Sequence, residues 1–128
     1  MNLLIEPLII VTNNPMSKEQ FESKYKIVFV EGTMMDILKK VRDNIHEGHK
    51  LLTHPLMSSI KPNETPYRTI CISKEKLSKV DFQSLSIIEE SIMTTEKFLN
   101  DFKTPQWNEK ILLDFQLIDS DLIYHAIN

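Results

Sequence analysis

Glycine, cysteine and alanine are scarce in this chain. Gly32 and Gly48 are the two glycines in 128 residues, so the glycine-rich loops that cradle nucleotide phosphates are missing. The strand–Gly–Thr–helix junction at 31–34 offers backbone N–H groups to an anion in principle. Glu31 and Asp36 place negative charge there, however, and helix capping accounts for Thr33 and Asp36. Cys71 is the one cysteine, which excludes a disulfide within the chain. Set between Ile70 and Ile72, it reads as a buried, reduced thiol. Ala126 is the one alanine, while isoleucine, lysine and asparagine are frequent. That bias matches an AT-rich coding genome and says nothing of mechanism. Also absent are internal repeats, low-complexity tracts, interdomain linkers and polybasic segments. With a net charge of −3 and a pI near 5.8, neither nucleic acid nor an anionic lipid surface is an expected partner. Glu6 and Pro7 break the apolar N-terminal run, which falls short of the ~20 residues of a membrane span and lacks a basic export region. The expected compartment is therefore the cytoplasm.

The composition is otherwise that of a globular protein, 41% hydrophobic and 26% charged. Residues 1–128 fit one domain with a core that needs neither disulfide nor metal. Residues 3–12 read as a buried strand, stopped by Asn13-Asn14-Pro15. Ser17 and Gln20 have capping-box spacing and predict a short helix start. A second strand is expected over 26–31. Thr33 and Asp36 then open a helix running to about His46, with Gly48 as its left-handed terminator. A short strand at Lys50–Thr53, a proline-rich loop at 54–66 and a strand at 67–73 follow. Asp81 caps a long helix with Phe82, Leu85, Ile88, Ile92, Leu99 and Phe102 on or near one face. Thr104-Pro105 opens the last helix or helix pair, whose core stripe is Trp107, Ile111, Phe115, Ile118, Leu122 and Ala126. Alternating strands and helices predict an α/β fold: a mostly parallel sheet of three to four strands, helices on its faces, two of them C-terminal.

In such a sheet, ligands bind at the strand C-terminal ends. Those ends carry Asn13, Asn14, Glu31, Thr33, Thr53 and His54, and the loop leaves from the same edge. The binding candidates are Asn13, Asn14, Thr53, His54, Lys61, Asn63 and Glu64. His54 suits general acid or base chemistry by its titration range. Three of the four histidines, His46, His49 and His54, lie close in sequence, but H-x2-H-x4-H is not a standard metal spacing, so no metal is expected. Ser58-Ser59-Ile60-Lys61 matches S-x-x-K, a motif that needs a helix which Pro62 disfavours. Asp119-Ser120-Asp121 and Glu89-Glu90 read as solvated acidic faces, or as a helix restart at Asp119.

Several blocks carry a resemblance. They are Thr12-Asn13-Asn14-Pro15; Val41-Arg42-Asp43 with the run from Gly48 to Leu56; and Lys61-Pro62-Asn63-Glu64-Thr65-Pro66-Tyr67. Ser84 to Glu90 and Asp114 to Asp119 add to them. In these blocks, which together span nearly the whole chain, the sequence resembles the GrdX family. These are small proteins encoded beside the glycine, sarcosine and betaine reductase complexes of amino-acid-fermenting anaerobes. The resemblance implies an accessory role toward a selenium-dependent reductase and supplies no catalytic residues or cofactor.

Three functional expectations result. The leading one is a non-enzymatic accessory protein that binds a reductase subunit or a small ligand through the edge built from the candidates. The alternative is a small enzyme or metabolite-binding domain centred on His54, with Asn13 or Asn63 orienting the substrate. The third is a homodimer joined through its C-terminal helices.

Overall fold

The structure, a computed structural model, describes residues 7–58 and 60–128. Leu3 to Glu6 of the expected first strand, and Ser59 of the S-x-x-K motif, lie outside the described residues. The elements in chain order are β1 (Leu8–Thr12), α1 (Pro15–Phe21), β2 (Lys26–Phe29), α2 (Met34–His46), β3 (His49–Leu51), β4 (Thr69–Lys76), α3 (Phe82–Asp101) and α4 (Glu109–Ile127).

The sheet order is β2-β1-β4-β3. β1 pairs with β2 in parallel, whereas β4 runs antiparallel to both β1 and β3. The expectation of a mostly parallel sheet is thus corrected: the sheet is mixed. The cause lies in the connection from β3 to β4. A parallel return needs a crossover, usually a helix, to carry the chain back across the sheet. The described residues of 52–68 contain no helix, and the segment leaves and re-enters at one edge, so β4 comes back antiparallel. β1, β2 and β3 still point the same way. Their C-terminal ends share an edge with the start of β4, and the loop sits there.

β1 is buried on both faces, and its alternation divides the core in two. Ile9 and Val11, with Ile70 and Ile72 of β4, pack against Ile37, Leu38, Val41 and Ile45 of α2 and Ile88 and Ile92 of α3. Leu8, Ile10 and Cys71 face the other way, onto Phe21 of α1 and Ile123 and Ile127 of α4. The sheet is therefore sandwiched, with α2 and α3 on one side and α1 and α4 on the other.

Local signals set the helix ends, with two corrections. Asn14, not Ser17, caps α1: its side chain accepts from Met16 N–H at 3.0 Å, and Pro15 follows at the first helical position. Asparagine is a strong N-cap and proline is preset for the first turn, so Asn-Pro starts the helix ahead of Ser17. Asn108, not Thr104, caps α4, accepting from Ile111 N–H at 2.9 Å. Residues 102–108 are left as a non-helical strap. In α2 the Thr33–Asp36 capping box forms in both directions, at 3.2 and 2.8 Å. Gly48 has φ 113°, and a Cβ there would lie 2.5 Å from the Leu77 carbonyl oxygen, so no other residue fits without strain.

The two long helices turn differently from their expected stripes. In α3, Ile88 and Ile92 are buried with Ser84, Ser91 and Thr95, while Phe82 is 80% exposed and Leu99 and Phe102 are also exposed. In α4, which runs without a restart, the buried residues are Asp119, Ser120, Ile123 and Ile127. Ile111 and Ile118 of the expected stripe are exposed. No helix among the described residues is long and apolar enough to cross a membrane.

Candidate functional site

The shared edge holds two neighbouring assemblies, a buried polar clip and an apolar pocket. The clip begins at Thr12 and Thr69, which are register partners on β1 and β4 with hydroxyl oxygens 2.7 Å apart. The Thr69 hydroxyl also lies 2.9 Å from Ser17 Oγ of α1 and 2.6 Å from Asp119 Oδ2 of α4. Asp119 Oδ1 accepts from Thr69 N–H at 3.1 Å, and Oδ2 accepts from Asn14 Nδ2 at 3.0 Å. A second Asn14 Nδ2 bond, at 2.8 Å, reaches the Gln116 carbonyl. Ser120 donates to Gln20 Oε1 alongside. Asp119 and Ser120, expected on a solvated face, are therefore buried and fasten α4 to the sheet edge. Burial raises Asp119 above the ordinary carboxylate range, while Thr69, Asn14 and the Arg68 charge pull it back. Burial likewise lowers Arg68, which is 3% exposed and whose Nε has no partner among the described residues.

The pocket, about 330 Å³, lies beside the clip. Gly32 to Met35 contribute from the β2–α2 junction, Pro62 and Pro66 from the loop, Thr95 and Leu99 from α3, and Thr104 and Trp107 from the strap. Its size and its largely apolar walls with few polar groups are those of small-molecule sites.

The sequence-selected residues build this region more than they line it. Asn13 is 6% exposed. Its Oδ1 accepts from Arg68 N–H at 2.8 Å, and its Nδ2 donates to the Gly32 and Pro66 carbonyls at 3.0 and 2.9 Å. One side chain thus spans two pocket walls, and every bonding group it has toward them is occupied. Asn14 is committed to the α1 cap and to α4. Thr53 is buried and accepts from Cys71 N–H at 2.9 Å. Asn63, also buried, donates to the Lys103 carbonyl at 3.3 Å, and its own oxygen has no partner among the described residues. The Glu64 carbonyl receives the Trp107 indole N–H at 3.2 Å, while the Glu64 side chain stays in solvent. Lys61 is exposed, its Nζ 5.3 Å from the Phe102 ring centroid. Loop and strap are latched at three points.

His54 is exposed, and the one hydrogen bond of its side chain among the described residues is local: Nδ1 accepts from Leu56 N–H at 3.0 Å. His49 is buried with Nδ1 2.7 Å from the Ser73 carbonyl oxygen, and His46 is exposed at the end of α2. The three histidines do not converge, and no group of three or more histidine, cysteine or acidic side chains positioned to hold a metal occurs among the described residues. Ser58 and Lys61 stand in non-helical backbone. Desolvation pushes the buried Cys71 thiol up to about 12, far from the range of a nucleophile.

Three features were not visible in the sequence. Asp119 looked like surface. The pocket walls are ordinary apolar residues. At the opposite end of the strands, Lys26, Lys40, Lys74 and Lys76 from three elements meet around a second cavity with Glu47 and His49; scattered along the chain, they gave no basic signature.

A model of the GrdX-like protein family matches residues 9–128. No curated protein and no solved structure matches the chain. The match covers nearly the whole length, and the chain belongs to the GrdX-like protein family.

Proposed function

We propose that this member of the GrdX-like family is a non-catalytic accessory protein that docks a component of a glycine, sarcosine or betaine reductase on the outer side of loop 54–66. The observation that carries this reading is the division of labour within the loop. Thr53, Asn63 and Thr65 are buried and internally bonded, and Pro55, Pro62 and Pro66 stiffen the backbone, while His54, Lys61 and Glu64 are left in solvent. A rigid loop presenting polar side chains loses little entropy on binding. The partner class is what the sequence resemblance implies.

The enzyme alternative has less support. His54 has no acid or base partner in the described residues, Asn13 is spent on backbone groups, and the Asn63 amide N–H₂ is bonded to the Lys103 carbonyl. The homodimer reading draws on Leu113 and Leu117 of α4, which are 56% and 59% exposed.

The test is affinity capture from the lysate of a glycine-fermenting anaerobe, using the wild type and a His54→Ala/Lys61→Ala/Glu64→Ala variant. All three side chains are exposed, so the variant should keep the wild-type circular dichroism, and loss of the Lys61–Phe102 contact should lower the melting temperature only slightly. Reductase subunits are expected with the wild type and lost with the variant. If the wild type retains none, the docking reading fails. Light scattering of the purified chain gives the oligomeric state.

A further inference from the structure

One residue of the pocket lining carries a buried hydroxyl that neither the fold nor the docking reading uses. Thr95, in the middle of α3, is 0% exposed, and its Oγ1 has no hydrogen-bond partner among the described residues. A helical threonine or serine normally returns such a bond to the carbonyl four residues back. Ser91, one turn earlier, does so with Ile87 at 2.8 Å. Thr95 does not, and it lies in the pocket lining. A hydroxyl buried without a partner is costly, and such groups in native structures mark a place where something else supplies the bond.

We propose that this pocket binds a small uncharged molecule with an apolar body and one carbonyl or hydroxyl group, the oxygen bonded to Thr95 and the body packed among Met34, Met35, Leu99, Trp107 and the two prolines. The charge pattern selects against ions. Among the described residues, no lysine or arginine lines the cavity to hold an anion, and no carboxylate lines it to hold a cation. At its rim the Asp36 carboxylate is held by Thr33 N–H, which lowers it below the ordinary range and keeps it ionised. That charge opposes an anion at the first turn of α2. Asp36 N–H is taken by Thr33 Oγ1, while the N–H groups of Met34 and Met35, in a turn that an α-helix leaves unpaired within itself, still suit a neutral oxygen. The inference stands on the cavity alone, whether or not a reductase component docks on the loop.

The chain's one tryptophan lines the pocket, so its indole N–H resonance and fluorescence report occupancy. Four probes of like size separate the possibilities: benzamide, benzoate, benzylammonium and toluene, each titrated into the full chain to ~10 mM, a range that fragment affinities reach. Benzamide is expected to shift Trp107 saturably and to bind at least about tenfold more tightly than either ion. Thr95→Val, which keeps the shape and removes the hydroxyl, should weaken benzamide about fivefold to tenfold, the weight of one hydrogen bond, and leave toluene unchanged. Thr95→Ser should restore benzamide binding. The proposal is overturned if no probe gives a saturable shift, meaning the cavity holds only water; if benzoate or benzylammonium binds as tightly as benzamide; or if Thr95→Val binds benzamide like the wild type. Both Thr95 variants are checked by amide spectra for an unchanged fold. The surface triple variant should bind benzamide normally, which separates this test from the docking experiment.

Discussion

Replacing Asp119 tests the claim that a buried carboxylate fastens α4 to the sheet. It accepts three hydrogen bonds, from Thr69 N–H, the Thr69 hydroxyl and Asn14 Nδ2. In Asp119→Ala the Thr69 hydroxyl can turn to Ser17 Oγ, already 2.9 Å away. Thr69 N–H has no substitute, and Asn14 Nδ2 keeps only its bond to the Gln116 carbonyl. Each orphaned buried donor costs about 1–3 kcal/mol, and Arg68 loses the one charge opposing it. Relief of the carboxylate's own desolvation offsets part of this. The expected net loss is about 2–4 kcal/mol, a large share of the roughly 5–15 kcal/mol of a typical domain. Asp119→Asn keeps an acceptor for Thr69 N–H but sets an amide N–H₂ against Asn14 Nδ2, so about 1 kcal/mol is expected. Urea unfolding measures both. A pH series adds a signed check. Burial raises Asp119 above its ordinary 3.8, so the folded state holds its proton more tightly than the unfolded state. Its contribution to stability is complete below 3.8 and is lost as pH rises through the folded value. Asparagine does not titrate, so the wild-type advantage over Asp119→Asn should shrink as pH rises. A loss below ~1 kcal/mol for Asp119→Ala, or an advantage that grows with pH, refutes the reasoning.

Asn13→Ala removes bonds of 2.8, 3.0 and 2.9 Å at one stroke and should cost about 2 kcal/mol in urea unfolding; Asn13→Asp should be no better, because its oxygens would face two carbonyls. A loss under ~0.5 kcal/mol would return Asn13 to the pool of free ligand groups. Cys71, with its thiol pushed up to about 12 and no exposed surface, should resist a disulfide reagent at about pH 8 in the native state and react in step with unfolding. Rapid labelling of the folded chain would place the thiol elsewhere.

What was legible in the sequence was local. Thr33 and Asp36 satisfy each other within one turn, and Gly48 answers to its own φ, so both could be read from neighbours. The continuous apolar run Leu8 to Val11 likewise announced a buried strand. The direction of β4 was less accessible, since it depends on what residues 52–68 fail to contain. Asp119 was invisible for a different reason. Its partners Thr69 and Asn14 lie 50 and 105 positions away, and Asp-Ser-Asp on a helix looks like any solvated face until the sheet edge is set against it.

The candidate site shows why choosing residues by polarity finds the right place and the wrong atoms. Leaving the strand ends, the chain has backbone groups that no ladder satisfies, and a buried group of that kind must find a partner. An asparagine offers one acceptor and two donor hydrogens. Asn13 meets one N–H and two carbonyls, so nothing remains of it for a ligand toward those walls. Asn14 and Thr53 are consumed in the same way by a helix cap and a strand amide. Polar residues thus gather at a strand-end edge partly because the edge must be held together, and their presence there does not distinguish scaffold from site. The distinguishing feature is a polar atom that the scaffold leaves over. Thr95 Oγ1 is such an atom among the described residues, on a residue of the pocket lining, yet in sequence Thr95 is one of a run of ordinary helix residues. Its significance depends on two facts of packing, the absence of a bond to its own helix and the open volume beside it, and no spacing rule encodes either.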